Sequence, residues 1–210
     1  MLESMSGNPF KKKSLASSVE WAESSNLYKQ YVDELKLSPE DLRKRILDVG
    51  ADFGHFAEVA KRNGYNDVCS IDIKHPADIY DIDTTIDLAG GKMAVADAFQ
   101  LPFKDEAFDL TISFCAIPNV VKGQNPSDYQ KEIKKIFQEM LRVTRVGGEI
   151  RLGRVISEHQ EDVLKLQRGQ QVKEALEWFA KRSRQFETSV EVTDTFNRSP
   201  GYLVKIKKLS

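Results

Sequence analysis

An α/β fold is predicted: a mostly parallel seven-stranded sheet with helices on both faces and a C-terminal antiparallel hairpin. Three observations predict it. Short apolar runs alternate with segments of helical periodicity from residue 45 to residue 156. Residues 108–117 form a largely apolar run, as a central parallel strand buried on both faces does. Two β-rich runs, 189–196 and 202–208, are joined by Asn197-Arg198-Ser199-Pro200-Gly201, a linker short enough for an antiparallel return.

The elements follow in order. Residues 17–36 read as a helix, with Leu27, Tyr31 and Leu35 on one stripe. Ser38-Pro39-Glu40-Asp41 opens a short helix: a capping serine, proline in the first turn and acids near the positive end. The first strand is expected over 45–49. A helix over 55–63 turns Phe56, Val59 and Ala60 inward and stops at Gly64. The second strand covers 68–73, an acidic connection 74–92, and a short third strand 92–96. After the central strand, Ser127 is expected to cap a long helix carrying Tyr129, Ile133, Ile136, Phe137, Met140 and Leu141. Val146-Gly147-Gly148 is expected to turn the chain into a fifth strand, 149–156, followed by a helix over 160–182. The hairpin then supplies one reversed edge strand.

Composition narrows the function classes. The 210 residues predict one domain over 17–210, with N-terminal helices at 17–44, a core at 45–210 and a disordered tail at 1–16. Thirty-one basic and 32 acidic residues leave a net charge of -1, so no overall attraction to nucleic acid or anionic lipid is indicated. No run approaches the ~20 apolar residues of a membrane span. Lys11-Lys12-Lys13 lacks the apolar core of a signal peptide, so a cytoplasmic location is expected. Cys69 and Cys115 lie in apolar strands and read as free thiols. No Cys/His cluster points to a metal. Asp78, Asp81, Asp83 and Asp87 lack the glycine turn and closing glutamate of a calcium loop, and read as a solvated acidic loop.

The chemistry is expected at the carboxyl ends of the strands. Ile46-Leu47-Asp48-Val49-Gly50-Ala51-Asp52-Phe53-Gly54 reads as a buried strand with an acid near its end, a tight turn and a helix entrance. Glycine lets a ligand approach the backbone, and the helix N-terminus offers free N–H groups. The dinucleotide spacing Gly-x-Gly-x-x-Gly fails here, because its second and third positions hold Asp52 and His55. Asp52 repels a pyrophosphate and suits an ammonium group. Asp72, closing the second strand ahead of Ile73, stands at the usual ~20-residue offset of an acid that accepts ribose hydroxyls. Asp97 and Ala98, after the third strand, combine a carboxylate with backbone N–H groups in a pattern that reads an adenine edge. Phe114 and Cys115 would floor the pocket.

These blocks, with Ala96-Asp97-Ala98-Phe99-Gln100-Leu101-Pro102-Phe103 and Glu139-Met140-Leu141-Arg142-Val143-Thr144-Arg145-Val146-Gly147-Gly148, resemble the class I S-adenosylmethionine (SAM)-dependent methyltransferases, in their compact small-molecule branch. The resemblance covers roughly residues 40–208 and implies a Rossmann-like domain with SAM as cofactor. It implies that Asp48, Gly50, Ala51, Asp52 and Gly54 meet the methionine portion. Asp72 and Ile73 would meet the ribose side, Asp97 and Ala98 the adenine, and Phe114 and Cys115 the reacting side. Related chains carry glycine where this one has Asp52, which would either bond the ammonium or crowd the site. The glycine pair at 147–148 follows Arg145-Val146 where relatives read Leu-Arg-Pro-Gly-Gly.

A small-molecule methyl acceptor is the expected partner. The alternatives are a catalytically silent binding module of the same fold, and an RNA or protein methyltransferase working with a partner subunit. Ile117-Pro118-Asn119-Val120 lacks the Asn/Asp-Pro-Pro-aromatic tetrad of adenine-N6 enzymes, and no Pro-Cys nucleophile of the cytosine-C5 enzymes is present. No catalytic acid or base is assigned; methyl transfer from a sulfonium needs alignment and water exclusion first. His55 and His159 read as surface residues. Trp21, Tyr28 and Tyr31 read equally as a lid or as packing for the first helix. Lys205, Lys207 and Lys208 read as charges guarding an edge strand.

Overall fold

Residues 18–73, 93–117, 125–154, 174, 177, 185–193 and 201–210 are described by a computed structural model of the chain. Its first helix, α1, spans Ser18–Glu34. A single 3-10 turn follows at Asp41–Arg43, in place of the short helix expected from Ser38. Ser38 still caps it: the Asp41 N–H donates to Ser38 Oγ at 3.2 Å, and the Ser38 N–H donates to Asp41 Oδ2 at 3.1 Å. The core elements are β1 (Ile46–Val49), α2 (His55–Arg62), β2 (Val68–Asp72), β3 (Met93–Val95) and β4 (Phe108–Phe114). Then come α3 (Pro126–Val143), β5 (Thr144–Gly153), β6 (Phe186–Thr193) and β7 (Gly201–Lys208).

All seven strands form one sheet in the order β3-β2-β1-β4-β5-β7-β6. β1 pairs in parallel with β2 and β4, β2 with β3, and β4 with β5. β7 runs antiparallel to both β5 and β6. The reversed strand is therefore not an edge strand, as the sequence led us to expect; it lies inside the sheet and β6 forms the edge. The lysines of β7 are correspondingly not edge guards. Lys205 pairs with Glu191 at 2.8 Å, and Lys207 stands between Glu149 and Glu187 on its two neighbours. Lys208 Nζ donates to the carbonyls of Leu141 and Thr144 at 3.2 and 3.0 Å, where the end of α3 needs a cation.

Two apolar layers sandwich the sheet. On one face, α1 and α2 bury Tyr31, Leu35, Phe56, Ala57 and Ala60 against Ile46, Val68, Leu110, Ile112 and Phe114. On the other, the α3 stripe Tyr129, Ile133, Ile136, Phe137 and Met140 packs on Leu47, Val49, Ile71, Ile150 and Leu152. Each fully buried side chain of this size contributes roughly 1.5–3 kcal/mol. Buried hydroxyls on the α3 face are satisfied: Thr111 and Thr144 share a 2.7 Å bond, and Ser113 donates to Val49 O at 2.8 Å.

Several boundaries differ from expectation; β6 begins at Phe186 and not at residue 189, and β5 ends at Gly153 and not at residue 156. Asn125, not Ser127, caps α3: its side chain accepts from the Asp128 N–H at 3.0 Å. Pro126, with no N–H to lose, takes the first helical position. β5 begins at Thr144, so Gly147-Gly148 lies inside it, at a register shift opposite Phe108 and Leu110. A Cβ at Gly148 would lie 2.8 Å from Asp109 O, so the bulge needs glycine. β4 ends at Phe114, because Cys115 takes a left-handed conformation (φ +59°). The tail at 1–16, the acidic connection with Asp78, Asp81, Asp83 and Asp87, the loop at 118–124 and His159 lie outside the described residues. Of the helix expected over 160–182, Glu174 and Glu177 are described and helical.

Candidate functional site

Chain order reverses between β1 and β4, and an open α/β sheet forms its ligand crevice beyond the carboxyl ends at such a point. The turn after β1 is built there by close backbone contacts. Gly50 and Ala51 donate to Ile71 O at 2.9 and 3.0 Å, and Gly54 donates to Ala51 O at 2.9 Å. Gly50 has φ +75°, and a Cβ on it would stand 2.3 Å from Ala116 Cβ beyond β4. Backbone and packing thus each require glycine. Gly54 (φ +70°) leads into α2 as its N-cap.

Asp52 is also left-handed, with φ +51°. This is backbone that favours glycine, and aspartate is among the few other residues that tolerate the conformation. Its side chain is exposed, so it does not fill the turn. Its N–H donates to Asp72 Oδ2 at 3.0 Å, drawing the end of β2 onto the turn. Ile73 and Val95 are half exposed (51% and 53%) at the ends of β2 and β3. Asp97 is exposed beyond β3 and Oδ1 accepts from the Phe99 N–H at 2.9 Å, while Ala98 packs against the core.

Beneath this rim lies Asp48, with no exposed surface and no well-formed hydrogen bond to either carboxylate oxygen among the described residues. Burial, with the charge of Asp72 adding to it, pushes its pKa up to about 8; the nearby Tyr31 hydroxyl opposes the shift. Ser70, opposite Asp48 in the β1–β2 register, also has a buried hydroxyl without a hydrogen-bond partner among the described residues. Burial and the Asp72 charge raise Asp52 as well, against the pull of His55. Three carboxyl groups at one rim suit a ligand whose charged end is cationic, and they oppose a pyrophosphate. Asp72 and Asp97, on adjacent strand ends, add acceptors for hydroxyl and amine donors.

The Phe114 end of β4 is covered by α1. Tyr31 stacks on Phe56 at 4.7 Å and tilts over Phe114 at 4.5 Å; Tyr28 stacks on Phe56 at 5.5 Å. Both tyrosines are therefore packing residues, and Tyr31 also roofs Phe114. Nothing is described of the Trp21 side chain. Cys115 donates its N–H to Gly153 O at 3.2 Å, and burial raises its thiol pKa. Arg154, left-handed at φ +54°, lies over the Phe114 ring at 5.2 Å and donates three hydrogen bonds to Glu34.

Several of these residues escaped the sequence. Glu34 and Arg154 lie 120 positions apart and carry no motif. Arg151 is a buried charge in a strand that reads as apolar. It donates to Leu35 O, Lys36 O and Asp41 Oδ2 at 3.2, 2.7 and 2.9 Å, pinning the end of α1 to β5. Arg142 donates to Leu101 O and Phe103 O at 2.9 and 2.7 Å, and Glu139 accepts from the Leu101 N–H at 2.8 Å. The Glu139–Arg142 spacing on one helix face was the available signal for that pair. Among the described residues, no group of three or more His, Cys, Asp and Glu is arranged to hold a metal ion, and no helix is long and apolar enough to cross a membrane.

Residues 47–152 match the family described as a methyltransferase domain. No curated protein matches the chain. Among solved structures, a SAM-dependent methyltransferase of Methanosarcina mazei aligns with a TM-score of 0.58 at 19% identity, covering 82% of this chain and 98% of that one. A Pyrococcus horikoshii protein aligns with 0.54 at 17% identity, covering 92% of each. The N-methyltransferase NodS of Bradyrhizobium japonicum aligns with 0.56 at 13% identity, covering 93% and 99%. At these identities the structural likeness establishes the fold, and the domain match spans half of the chain. With the strand order, the glycine turn and the acids at the strand ends, these matches show that the chain belongs to the class I SAM-dependent methyltransferase family.

Proposed function

We propose that the methyl acceptor is a small molecule, bound beside Phe114 and Cys115 under the cover of α1. The observation that carries this reading is the Tyr31 ring tilted over Phe114 at 4.5 Å, which puts the chain's own helix over the reacting side. A net charge of -1 gives no general attraction to a polyanion. Cys69 and Cys115 form no disulfide, which suits a reducing compartment, and we place the protein in the cytoplasm. The working unit is a single domain over residues 17–210, behind a tail at 1–16.

When bound, SAM supplies a methyl group on a sulfonium, an already activated leaving arrangement. Within this reading, Asp72 and Ile73 hold the ribose side, and Asp97 and Ala98 hold the adenine. Asp48, Gly50, Ala51, Asp52 and Gly54 serve the methionine end. Phe114 and Cys115 exclude water from the reacting side, where alignment supplies most of the rate. No described side chain is assigned as a general base.

The test has two arms. Calorimetric titration of Asp72→Ala with SAM should show affinity at least tenfold weaker, since two hydroxyl contacts are lost; unchanged affinity sinks the ribose assignment. Methyl-labelled SAM is then offered with extracted small metabolites, with total RNA or with protein. Label in the metabolite fraction is expected. Label confined to RNA or protein overturns the small-molecule reading.

A further inference from the structure

We propose that Tyr31 is a positioning residue that acts through Asp48, the two forming a proton-carrying pair under the cofactor's cationic end, so that SAM binding drives a proton out of the protein. The proposal rests on the cofactor site described above and deepens it, because it recruits α1 into cofactor binding.

The geometry points to this pair. Asp48 is fully buried, and neither of its oxygens has a well-formed hydrogen bond among the described residues. An unpartnered buried carboxyl is costly when charged, so it carries its proton until a positive charge comes near. Among the described residues, the buried hydroxyls of Thr111, Thr144 and Ser113 are bonded, and that of Ser70, directly opposite Asp48, is not. The unmet polarity thus collects under the glycine turn. Tyr31 is held there by its stacks on Phe56 and Phe114, with only 4% of its surface exposed. Its hydroxyl favours the ionised form of Asp48, the one form that a phenol donor strengthens.

The charged and titratable groups around the pair come from every neighbouring element. Asp72 acts on Asp48 from the end of β2. Asp52, from the turn, and Cys115, from beyond β4, act on Tyr31, and His55, at the start of α2, acts on Asp52. Arg154 and Glu34 act on Cys115. Burial and the Asp72 charge both disfavour a negative Asp48, so a cation brought near favours loss of its proton. Asp48 has no surface of its own, so the influence travels through the low-dielectric interior.

The test compares the wild type, Tyr31→Phe and Asp48→Asn in SAM titrations from about pH 6 to pH 9.5, each in two buffers of different ionisation heat, which counts protons. S-adenosylhomocysteine, lacking the sulfonium charge, is the second probe. The wild type should release more protons on binding SAM than Asp48→Asn does, and more than it releases with S-adenosylhomocysteine. Tyr31→Phe keeps the ring and its stacks. Its SAM affinity should be about tenfold weaker than wild type near pH 7 and equal above about pH 9, a displacement of one pH unit. His55 is present in all three proteins, so their differences isolate the pair. Equal affinity at high pH also shows that the variant is folded.

A Tyr31→Phe profile that superimposes on the wild type overturns the proposal, as does weaker binding by the same factor at every pH. Wild-type proton release no greater than that of Asp48→Asn overturns it while leaving the cofactor site intact. A folded wild type that binds no SAM at any pH overturns the proposal and the cofactor site together.

Discussion

Arg154 closes a two-oxygen ion pair on Glu34, with Nε 2.8 Å from Oε2 and Nη2 2.6 Å from Oε1. The pair joins the last residue of α1 to the residue after β5, beside Phe114 and Cys115. Planar bidentate geometry favours arginine over lysine here. Arg154→Lys should cost about 1 kcal/mol, or a thermal midpoint some 2–4 °C lower in a chain of this size. Amide exchange in residues 27–35 should quicken by several-fold while that of α3 stays as it is. Equal slowing or quickening in both helices would sink the claim that this pair holds α1.

The Leu101-Pro102-Phe103 loop depends on Arg142, which holds the carbonyls of Leu101 and Phe103, and on Glu139, which holds the Leu101 N–H. Arg142→Met leaves two partly buried carbonyls without these donors, at about 1–3 kcal/mol. Because the loop follows Asp97 and Ala98, SAM affinity should fall along with the urea midpoint. A stability loss of that size with unchanged SAM affinity would separate the loop from the adenine side.

Gly50→Ala should be among the most damaging single changes. It adds strain at φ +75° to a Cβ contact of 2.3 Å with Ala116. Together these should cost more than about 2 kcal/mol. Adding Ala116→Gly removes the clash but keeps the backbone strain, so chemical denaturation should show partial recovery. Full recovery would mean that the conformation at Gly50 costs nothing.

Asp52→Gly probes the left-handed residue of the turn. Glycine relieves the left-handed strain at φ +51° and should raise stability by up to about 1 kcal/mol. Loss of its charge should weaken SAM binding by several-fold, more at low salt than at high salt, because the side chain is exposed. Tighter binding in Asp52→Gly would show that the aspartate crowds the site.

The pH dependence of stability should have two limbs. Asp109 is held down to about 2, first by its Arg45 side-chain bonds and also by Arg145. Its folded pKa lies below its unfolded value of 3.8, so its contribution is present above that value and is lost as pH falls toward 2. Asp48 has the opposite sign. Its folded pKa of about 8 exceeds its unfolded value of 3.8, so its stabilising share is full below 3.8 and is lost as pH rises through about 8. Asp109→Asn should flatten the acid limb of the urea midpoint, and Asp48→Asn the alkaline one. A slope unchanged by either substitution would discard the corresponding assignment.

The residues between 46 and 98 were readable because their constraints are local. Gly50 and Gly54 sit where the backbone is left-handed, and Asp72 ends and Asp97 follows short strands that alternate with helical stripes. The start of α3 was misplaced by two residues because Asn125, Pro126 and Ser127 all suit a helix entrance, and side-chain geometry chose among them. The reversed strand was placed at the edge because a hairpin reads the same in sequence whichever arm pairs with β5.

By itself, the sequence determined the sheet, its parallel core, the glycine turn and the row of acids, since periodicity, turn chemistry and spacing act over a few neighbouring residues. Only the tertiary structure decided that β7 lies inside β6, that Arg151 and Arg154 tie α1 to β5, and that Tyr31 meets a buried Asp48. Those relations join positions far apart in the chain. They depend on which side chains lose water together, and a buried charge takes its character from neighbours that no local spacing reveals.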